Sequence, residues 1–283
     1  MEKKKLCVIG DPIEHSLSPV IHNTILKMSG LPYEYGRVQV ASSDTADFLA
    51  RVREEGYAGF NATMPHKEHL VPLMDELDAD AQLCGAVNTV VISDGKTRGC
   101  NTDGRGFLQM LDANGFNPEK KTVLVLGAGG AAKAVILKLA QAGAARIFVC
   151  ARTPEKVQPL IELYPMQITA CPFDAQTLSD CALFSDLVVN ATPLGMKNTA
   201  GQFESFAFLD SLSDHAPVCD LIYEPEETEF LRYAREHGHK TMNGLGMLIY
   251  QAIFALELFT DTKIEIETVL PHIESALKKE MHP

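Results

Sequence analysis

The chain has 283 residues, a length that predicts two domains. Its composition, 46% hydrophobic and 22% charged, is typical of globular proteins and excludes the collagenous, intrinsically disordered and membrane-embedded classes. The formal net charge of −12 disfavours a nucleic acid or an anionic membrane as a partner, because both repel an acidic protein.

The seven cysteines are irregularly spaced, and no two of them form a Cys-x-x-Cys pair. This pattern argues against a disulfide framework and against a zinc site. We therefore expect reduced, mostly buried thiols of a cytoplasmic protein and no metal ion. The basic start of the chain leads into an apolar run of only residues 6–9, so we also expect no signal peptide.

The first hundred residues alternate between strand-like and helix-like patterns. Strands are predicted over residues 6–10, 35–40, 57–63 and 86–92, and helical patterns over 19–29, around 48–52 and over 70–77. Strands that alternate with helices predict an α/β domain with crossover connections.

A second α/β series begins at residues 122–126, a continuous apolar run typical of a parallel strand covered on both faces. Further strands are predicted over 146–150, 167–171, 186–190 and 218–222, the pattern of a doubly wound Rossmann-type sheet. Helices over 244–259 and 264–279 follow without a strand, so we expect them to return to the first domain. The predicted domains are residues 1–103, completed by 245–283, and residues 104–244.

A glycine-rich turn directly follows the strand at 122–126 and opens a helix. In the pattern G-x-G-x-x-A, the first glycine permits a tight turn and the second lets a pyrophosphate approach the backbone. The diphosphate would then meet free N–H groups at the helix N-terminus. The alternative is a glycine-rich connection without a ligand. The turn consists of Gly127, Ala128, Gly129, Gly130, Ala131 and Ala132.

The next predicted strand ends near Arg152, where an NAD-specific protein would carry an acidic residue for the ribose 2′-hydroxyl. A guanidinium there can pair with a 2′-phosphate, with Thr153 adding a hydroxyl and Lys156 a second charge. The cluster favours NADP over NAD. The alternative is a solvated surface arginine.

Polar residues also gather at predicted strand ends in the first domain. Ser16 and Ser18 lie two residues apart before Pro19, and both hydroxyls could face one carboxylate; the alternative is simple N-capping by Ser18. Lys67 falls in the first turn of a predicted helix that begins at Pro65. Positive charge there opposes the helix dipole, which suggests proton chemistry rather than a stabilising role.

A third polar segment lies near the predicted domain junction. Asn88, Asn101 and Asp103 offer donors and acceptors suited to a polyol, although Asn and Asp at such turns are often turn-formers. His66 and His69 lack a third ligand at a recognisable spacing, so we expect no metal there.

Seven motifs in order, over nearly the whole chain, resemble those of the shikimate dehydrogenase family. They are Ser16-Leu17-Ser18-Pro19, Asn61-Ala62-Thr63 with Pro65 and Lys67, Gly85-Ala86-Val87-Asn88-Thr89, Asn101-Thr102-Asp103-Gly104, the Gly127 to Ala132 turn, Asn190-Ala191-Thr192-Pro193-Leu194-Gly195-Met196, and Asn243-Gly244-Leu245-Gly246-Met247-Leu248 with Gln251.

This resemblance implies NADPH-dependent reduction of 3-dehydroshikimate to shikimate, with Lys67 and Asp103 as the catalytic pair. It implies that residues 1–103 and 245–283 bind substrate and that residues 104–244 bind the dinucleotide. Substrate would be held by Ser16, Ser18, Asn61, Thr63, Asn88, Asp103, Tyr223 and Gln251. Thr192, Met196, Gly244 and Met247 would lie around the nicotinamide.

Two positions depart from the family pattern: Ala62 replaces the usual valine, and Ala151 replaces an asparagine that commonly precedes the Arg-Thr pair. The second change removes one possible contact to the adenosine ribose or its phosphate. Two alternatives stay open, a quinate/shikimate dehydrogenase that uses NAD and a non-catalytic NADP-binding regulator. Oligomeric state is not legible in the sequence, and a homodimer is left open.

Overall fold

The computed structural model describes residues 3–197 and 201–282. The chain divides into two compact units, Met1–Gly106 with Leu248–Pro283 (unit 1) and Phe107–Met247 (unit 2). Within the described residues, none of the helices has both the length and the apolar character needed to cross a membrane.

Unit 1 is built on a mixed six-stranded sheet in the order β2-β1-β3-β5-β6-β4. The first three strands are parallel, whereas β5 pairs antiparallel with both β3 and β6. Strand β5 therefore lies between β3 and β6, and the residues at its start lie between the ends of those two strands. The strands are β1 (Lys4–Gly10), β2 (Tyr33–Gln39), β3 (Tyr57–Ala62), β4 (Glu76–Leu77), β5 (Thr89–Ser93) and β6 (Lys96–Cys100).

Helices within residues 1–106 connect the strands of unit 1 and cover their apolar side chains. A buried cluster that includes Ile9, Phe48, Phe60 and Val90 fills the space between strands and helices. Burial of such side chains contributes about 1.5 to 3 kcal/mol each to folding. The helices are α1 (Ser18–Ser29), α2 (Thr45–Glu54), α3 (His66–His69) and α4 (Ala79–Cys84). Helix α5 (Asp103–Ala113) follows β6, and its residues from Phe107 onward belong to unit 2.

Unit 2 contains a parallel six-stranded sheet in the order β12-β11-β10-β7-β8-β9. The strand order reverses between β7 and β10, the topological switch point at which ligands bind in such sheets. The elements are β7 (Thr122–Leu126), α6 (Gly130–Gln141), β8 (Arg146–Cys150), α7 (Gln158–Leu163), β9 (Ile168–Cys171), α8 (Ala175–Leu183), β10 (Leu187–Asn190), β11 (Val218–Asp220), α9 (Glu229–Glu236) and β12 (Thr241–Met242).

The last two helices are α10 (Leu245–Thr260) and α11 (Ile266–Met281). Helix α11 packs against α1, and the Tyr33 hydroxyl donates a hydrogen bond to the Phe259 carbonyl at 3.4 Å. These contacts return the carboxyl-terminal helices to unit 1, as the apolar pattern without a following strand predicts. The predicted α/β class, with a Rossmann-type second sheet, is confirmed.

Several predicted element bounds were wrong. The strand predicted from residue 86 begins at Thr89, because the Val87 N–H donates to the Lys67 carbonyl (2.8 Å) instead of joining the sheet ladder. The short strands β4, β6 and β12 were not predicted. Their sequences, such as Lys96–Cys100, lack a continuous apolar run, and the neighbouring strand determines their pairing.

Candidate active site

A lysine and an aspartate form a shielded ion pair in unit 1. Lys67 lies in α3, just after β3, and Asp103 is the first residue of α5, just after β6. The Lys67 Nζ lies 2.5 Å from Asp103 Oδ2, and the two side chains are only 18% and 5% exposed. Water therefore screens their attraction less than it screens a surface pair. The amine and the carboxylate expected to act together do meet.

Backbone hydrogen bonds fix the position of Lys67. The His66 N–H donates to the Thr63 carbonyl at 2.9 Å, and the Lys67 carbonyl accepts from Val87 N–H at 2.8 Å. Helix α3 has only four residues and Pro65 is its N-cap. The dipole of so short a helix is small, so the helix-dipole argument for Lys67 was wrong, and the contact with Asp103 accounts for the buried charge.

Asn88 connects the ion pair to a buried hydrogen-bond network. Its Nδ2 donates to Asp103 Oδ1 (2.8 Å), Thr102 Oγ1 (2.9 Å) and Gln251 Oε1 (3.2 Å). Its Oδ1 accepts from the Thr102 N–H and the Thr89 hydroxyl, both at 2.9 Å. Asp103 is therefore held through both oxygens, one by Asn88 and one by Lys67. The sequence motifs included Thr89 and Thr102 but did not reveal this supporting role.

Gln251 reaches the network from α10. Its Nε2 donates to the Leu248 carbonyl at 2.9 Å, which leaves Oε1 facing Asn88. Close approach of the chain at this point depends on Gly106, since a Cβ there would lie 2.6 Å from the Gln251 backbone nitrogen. A larger residue at position 106 would therefore push α10 away from the site.

Asn61 lies beside this network, and both of its N–H bonds are used within the protein. Its Oδ1 accepts from the Tyr35 hydroxyl at 2.7 Å, and its Nδ2 donates to the Asn88 carbonyl (3.1 Å) and the Thr89 hydroxyl (2.9 Å). Tyr35 is a partner that the sequence motifs did not reveal.

Asn101 also makes its hydrogen bonds within the protein, because its Nδ2 donates to the Ala86 carbonyl and its Oδ1 accepts from the Asp103 N–H. Asn101 is therefore a turn-former.

Three hydroxyl residues lie near the carboxyl ends of β1 and β3. Leu17, not Ser18, is the N-cap of α1, and the helix has no side-chain cap, so the N-capping alternative was wrong. The Ser16 Oγ instead accepts from Ser18 N–H at 3.4 Å. Thr63 packs over the end of β1, because a Cβ on Gly10 would lie 2.5 Å from the Thr63 methyl group. Ser16 and Thr63 are half-buried, and Ser18 is buried.

The glycine-rich turn of unit 2 has the expected strand-turn-helix context. Gly127 follows β7 with φ of +110°, and its N–H donates to the Cys150 carbonyl at 2.8 Å. A Cβ at this position would lie 3.0 Å from the Ala191 carbonyl oxygen, in a backbone conformation that side chains rarely adopt. Gly129 is the N-cap of α6, whose first N–H groups have no partner inside the helix. Ala128, Gly130, Ala131 and Ala132 complete this turn.

Three residues after β8 carry the predicted phosphate-binding groups. Arg152, Thr153 and Lys156 follow the strand closely, and the Arg152 and Lys156 side chains are exposed. Within residues 3–197 and 201–282, these two side chains make no hydrogen bond or ion pair, so both charges are available to an anion. Thr153 starts a short 3₁₀ helix without a side-chain cap, which leaves its hydroxyl available as well.

The segment after β10 is held by a buried carboxyl group. Asn190 Oδ1 accepts from the Thr192 hydroxyl (2.7 Å), and Asn190 Nδ2 donates to Asp220 Oδ1 at 3.0 Å. Asp220 also accepts from the Thr228 hydroxyl and from Ile222 N–H. Burial raises the Asp220 pKa from 3.8 to about 7, although these hydrogen bonds oppose the shift. No sequence pattern pointed to Asp220 or Thr228.

The remaining residues expected near the cofactor or substrate in unit 2 differ in exposure. Gly244 is buried, and a Cβ there would collide with the Leu221 carbonyl, so a close backbone approach requires glycine. Met247 is buried, whereas Met196 is 37% exposed. Tyr223 is half-buried, and burial raises its pKa. It follows β11 in unit 2, whereas the other substrate-binding candidates belong to unit 1.

The histidines near Lys67 have structural partners. The two ring nitrogens of His66 contact the Thr45 hydroxyl and the Val40 carbonyl, each at 2.8 Å. His69 Nδ1 lies 3.1 Å from the Ser42 hydroxyl. In the described parts of the chain, the one group of His, Cys, Asp or Glu side chains with metal-ligand spacing is formed by cysteines of unit 2.

Comparisons with known proteins identify a family for this chain. Residues 8–90 match the family model described as shikimate dehydrogenase substrate binding domain, 111–196 match shikimate / quinate 5-dehydrogenase, and 244–273 match the shikimate 5′-dehydrogenase C-terminal domain. The shikimate dehydrogenase (NADP(+)) of Desulforamulus reducens is 40% identical over 91% of this chain and 90% of its own length. The chain belongs to the shikimate dehydrogenase family.

Solved structures of shikimate dehydrogenases have the same fold. The Thermus thermophilus enzyme, in complex with NADP(H) and shikimate, superposes with a TM-score of 0.83 at 33% identity, covering 96% of this chain and 99% of its own. The Listeria monocytogenes enzyme, in complex with shikimate and NAD, superposes with a TM-score of 0.84 at 31% identity, covering 96% of each chain. The family thus includes members solved with either dinucleotide.

The two departures from the shikimate dehydrogenase pattern have different settings. Ala62 is part of the buried core with Ile9 and Phe60, so its side chain contributes to packing. Ala151 is 5% exposed and directly precedes Arg152. Its methyl group offers no hydrogen bond to a ribose or phosphate.

Proposed function

We propose that this chain is an NADP-dependent shikimate dehydrogenase that catalyses the reversible reduction of 3-dehydroshikimate to shikimate, a step of aromatic amino-acid (chorismate) biosynthesis. The observation that carries the proposal is the shielded Lys67–Asp103 pair, with Nζ and Oδ2 2.5 Å apart, in a chain of this family. A non-catalytic NADP-binding regulator would not need to keep a buried charge pair of this kind.

In the proposed mechanism, Lys67 and Asp103 handle the proton. NADPH, when bound, supplies the hydride to the ketone carbon. The Lys67 ammonium donates a proton to the carbonyl oxygen and takes it back from the hydroxyl in the reverse direction. Asp103 orients Lys67 and accepts a hydrogen bond from a ring hydroxyl, while Asn88 prevents the carboxylate from rotating.

The proposed substrate contacts use hydroxyl and amide groups on several elements. The hydroxyls of Ser16 and Ser18 suit the carboxylate of the substrate, because each can donate one hydrogen bond. Asn61 offers only the second lone pair of Oδ1, since both of its N–H bonds are used in the protein. The proposed substrate-binding set is Ser16, Ser18, Asn61, Thr63, Asn88, Asp103, Tyr223 and Gln251.

The residues of unit 2 fit a dinucleotide with a 2′-phosphate. The backbone at Gly127 has no room for a Cβ, and the following helix presents free N–H groups. The exposed Arg152 and Lys156 charges lack partners among the described residues. We propose that Gly127, Ala128, Gly129, Gly130 and Ala131 hold the diphosphate, that Arg152, Thr153 and Lys156 hold the 2′-phosphate, and that Thr192, Met196, Gly244 and Met247 line the nicotinamide end.

We also propose the corresponding division of labour: substrate binding and catalysis in residues 1–103 with 245–283, and dinucleotide binding in residues 104–244. A cytoplasmic location is supported by the seven unpaired cysteines, which suit a reducing compartment. A homodimer stays a prediction without a structural observation behind it.

One assay tests the proposed function. NADPH oxidation is followed at its near-ultraviolet absorbance with 3-dehydroshikimate, beside NADP and NAD reduction with shikimate and with quinate. We expect turnover with 3-dehydroshikimate and shikimate, and a higher kcat/KM with NADP than with NAD. A purified, folded chain that turns over none of these substrates would contradict the proposal.

A quinate/shikimate dehydrogenase that uses NAD is the second candidate, favoured by the NAD complex of the Listeria monocytogenes relative. The same assay separates the two. A higher kcat/KM with NAD, or with quinate than with shikimate, would favour the alternative. Arg152 argues against it, because NAD has no 2′-phosphate for the guanidinium to bind.

A further inference from the structure

Three cysteines from separate elements of unit 2 converge on one point. Cys150 is the last residue of β8 and Cys171 the last residue of β9, and the two are partners in the parallel ladder. Cys181 lies in α8, the helix that follows β9. All three Sγ atoms lie within 4.8 Å of one another, and the Cys181 Sγ lies 3.9 Å from that of Cys171.

These distances are close to those of a metal trithiolate. Zinc–sulfur bonds of about 2.3 Å in a tetrahedral site place sulfur atoms roughly 3.8 Å apart. The Cys171–Cys181 spacing already has this value, and Cys150 needs to approach by at most about 1 Å. A disulfide would need a larger approach, to about 2.0 Å between two sulfurs, and would leave the third thiol unused.

The surroundings suit thiolate ligands and leave a path for the ion. Cys150 and Cys181 are buried in an apolar cluster that includes Leu126 and Leu178, whereas Cys171 is only partly buried. Soft sulfur ligands select thiophilic d¹⁰ ions over the hard cations magnesium and calcium. The partly exposed side at Cys171 gives access from solvent and room for water as a fourth ligand.

We propose that Cys150, Cys171 and Cys181 form a trithiolate site for a divalent thiophilic ion of the zinc and cadmium class, with water in the fourth position. As the three metal–sulfur bonds form, three S–H bonds break and three protons leave to solvent. No oxidant or reductant takes part. This proposal does not rest on the proposed dehydrogenase activity.

Metal binding at this site should depend on pH, because the thiolate is the ligand and each thiol must lose its proton. Burial raises the pKa of Cys181 to about 12 and that of Cys150 further, and the neighbouring Cys171 thiol adds to both shifts. The nearby Asp180 carboxylate also raises the Cys181 pKa, by a smaller amount. The ion must therefore displace protons, so its affinity should increase with rising pH by up to three protons per ion.

The location links the site to the dinucleotide-binding segment. Cys150 lies two residues before Arg152, and its carbonyl accepts the hydrogen bond from Gly127 N–H at 2.8 Å. An ion bound by β8, β9 and α8 would fix the backbone from which Arg152 and Thr153 project. Binding of the ion to the three cysteines is therefore expected to change the KM for NADPH more than the KM for shikimate.

Cadmium titration of the reduced, full-length chain tests the proposal. We expect one equivalent of Cd²⁺ to produce sulfur-to-metal charge-transfer absorption, with proton release and with three sulfur neighbours in the X-ray absorption spectrum. Cys171→Ala should weaken Cd²⁺ binding by at least about tenfold, since even changes outside the ligand shell cost 10- to 100-fold. Its partial exposure makes this variant the least harmful to folding.

Cys150→Ala and Cys181→Ala should have the same effect, and Cys219→Ala is the matched control because it removes a fully buried thiol from the same sheet. Circular dichroism of each variant checks the fold. The proposal is overturned if wild-type protein gives no stoichiometric charge-transfer band. It is also overturned if Cys171→Ala binds as tightly as wild type, if Cys219→Ala loses binding equally, or if a Cys171–Cys181 disulfide forms in place of the metal complex.

Discussion

The two units of this chain position their functional groups in different ways. In unit 1, Lys67, Asp103, Asn88 and Gln251 are joined by direct side-chain hydrogen bonds and are largely buried. In unit 2, the glycine turn contributes backbone N–H groups, and Arg152 projects into solvent without a partner in the described residues. The unit 1 site is a hydrogen-bond network in which each side chain holds the next one in position. The unit 2 site is a backbone turn followed by charged side chains that, in the described residues, do not hydrogen-bond to one another.

This difference has an energetic consequence. Removing one member of a buried network leaves other donors or acceptors unpaired, and each such loss costs about 1 to 3 kcal/mol. Removing an exposed arginine leaves nothing unpaired inside the protein. Substitutions in unit 1 should therefore change catalysis and stability together, whereas substitutions of exposed cofactor residues should change binding alone.

The largest effect is expected for Lys67→Ala. Loss of the proton donor should reduce kcat by about 10²- to 10⁴-fold while the KM for shikimate changes little, because proton transfer matters chiefly in the transition state. Steady-state kinetics measure both constants. Lys96→Ala, at an exposed position of unit 1, is the control. Near-normal turnover of folded Lys67→Ala would remove Lys67 from the mechanism.

Asn88→Ala tests whether the unit 1 groups act as a network. The change leaves Asp103 Oδ1, Thr102 and Gln251 without their shared donor, so we expect a loss of about 2 kcal/mol or more in the free energy of unfolding. We expect kcat to fall by at least about tenfold, because the carboxylate becomes free to rotate. Denaturant melts and kinetics provide the readouts, with Asn117→Ala as an exposed control. A kinetic defect without a stability loss would contradict the network description.

Arg152→Ala tests the opposite case in unit 2. Loss of one charge-assisted contact to the 2′-phosphate should raise the KM for NADPH by about 10- to 100-fold and leave the KM for NADH unchanged. The free energy of unfolding should stay within about 0.5 kcal/mol of wild type. Arg232→Ala, an exposed arginine of α9, is the control. An equal rise in the KM for NADPH and the KM for NADH would exclude Arg152 as the 2′-phosphate contact.

The smallest effect on activity is expected for Asp220→Asn, which probes the buried network around the Asp220 carboxyl in unit 2. The folded pKa of about 7 lies above the ordinary 3.8, so the protonated carboxyl stabilises the fold below pH 3.8, and this contribution is lost as pH rises through about 7. An asparagine keeps the acceptor and does not ionise. The decline in unfolding free energy between those pH values should therefore flatten in the variant, as measured by denaturant melts across pH.

Asp112→Asn, at an exposed position, controls for the general effect of removing a negative charge. An unchanged pH profile in Asp220→Asn would show that the Asp220 carboxyl is ionised throughout this range. The hydrogen bonds from Asn190 and Thr228 would then outweigh the effect of burial.

Local patterns were sufficient for most of the fold. The apolar runs and turn residues predicted every strand of unit 2 except β12, and the glycine turn was predicted in its correct context. The misses include short strands such as β6, which is polar and depends on β5 for its pairing. The helix predicted over 70–77 was also wrong, since this segment forms a short 3₁₀ turn and strand β4. The helix-dipole reasoning at Lys67 failed because α3 has only four residues, and Pro72, which has no N–H to donate, follows it closely.

What the sequence alone determined was the order of strands and helices, the glycine turn and the residue types of the site, because hydrophobic periodicity and turn chemistry are local properties. The tertiary structure decided which side chains meet. Lys67 and Asp103 are 36 positions apart, and Asn88 and Gln251 are 163 apart. Their contacts depend on β5 lying between β3 and β6 and on α10 returning to unit 1. The Cys150, Cys171 and Cys181 cluster arises in the same way, from the pairing of β8 with β9, which no spacing in the sequence encodes.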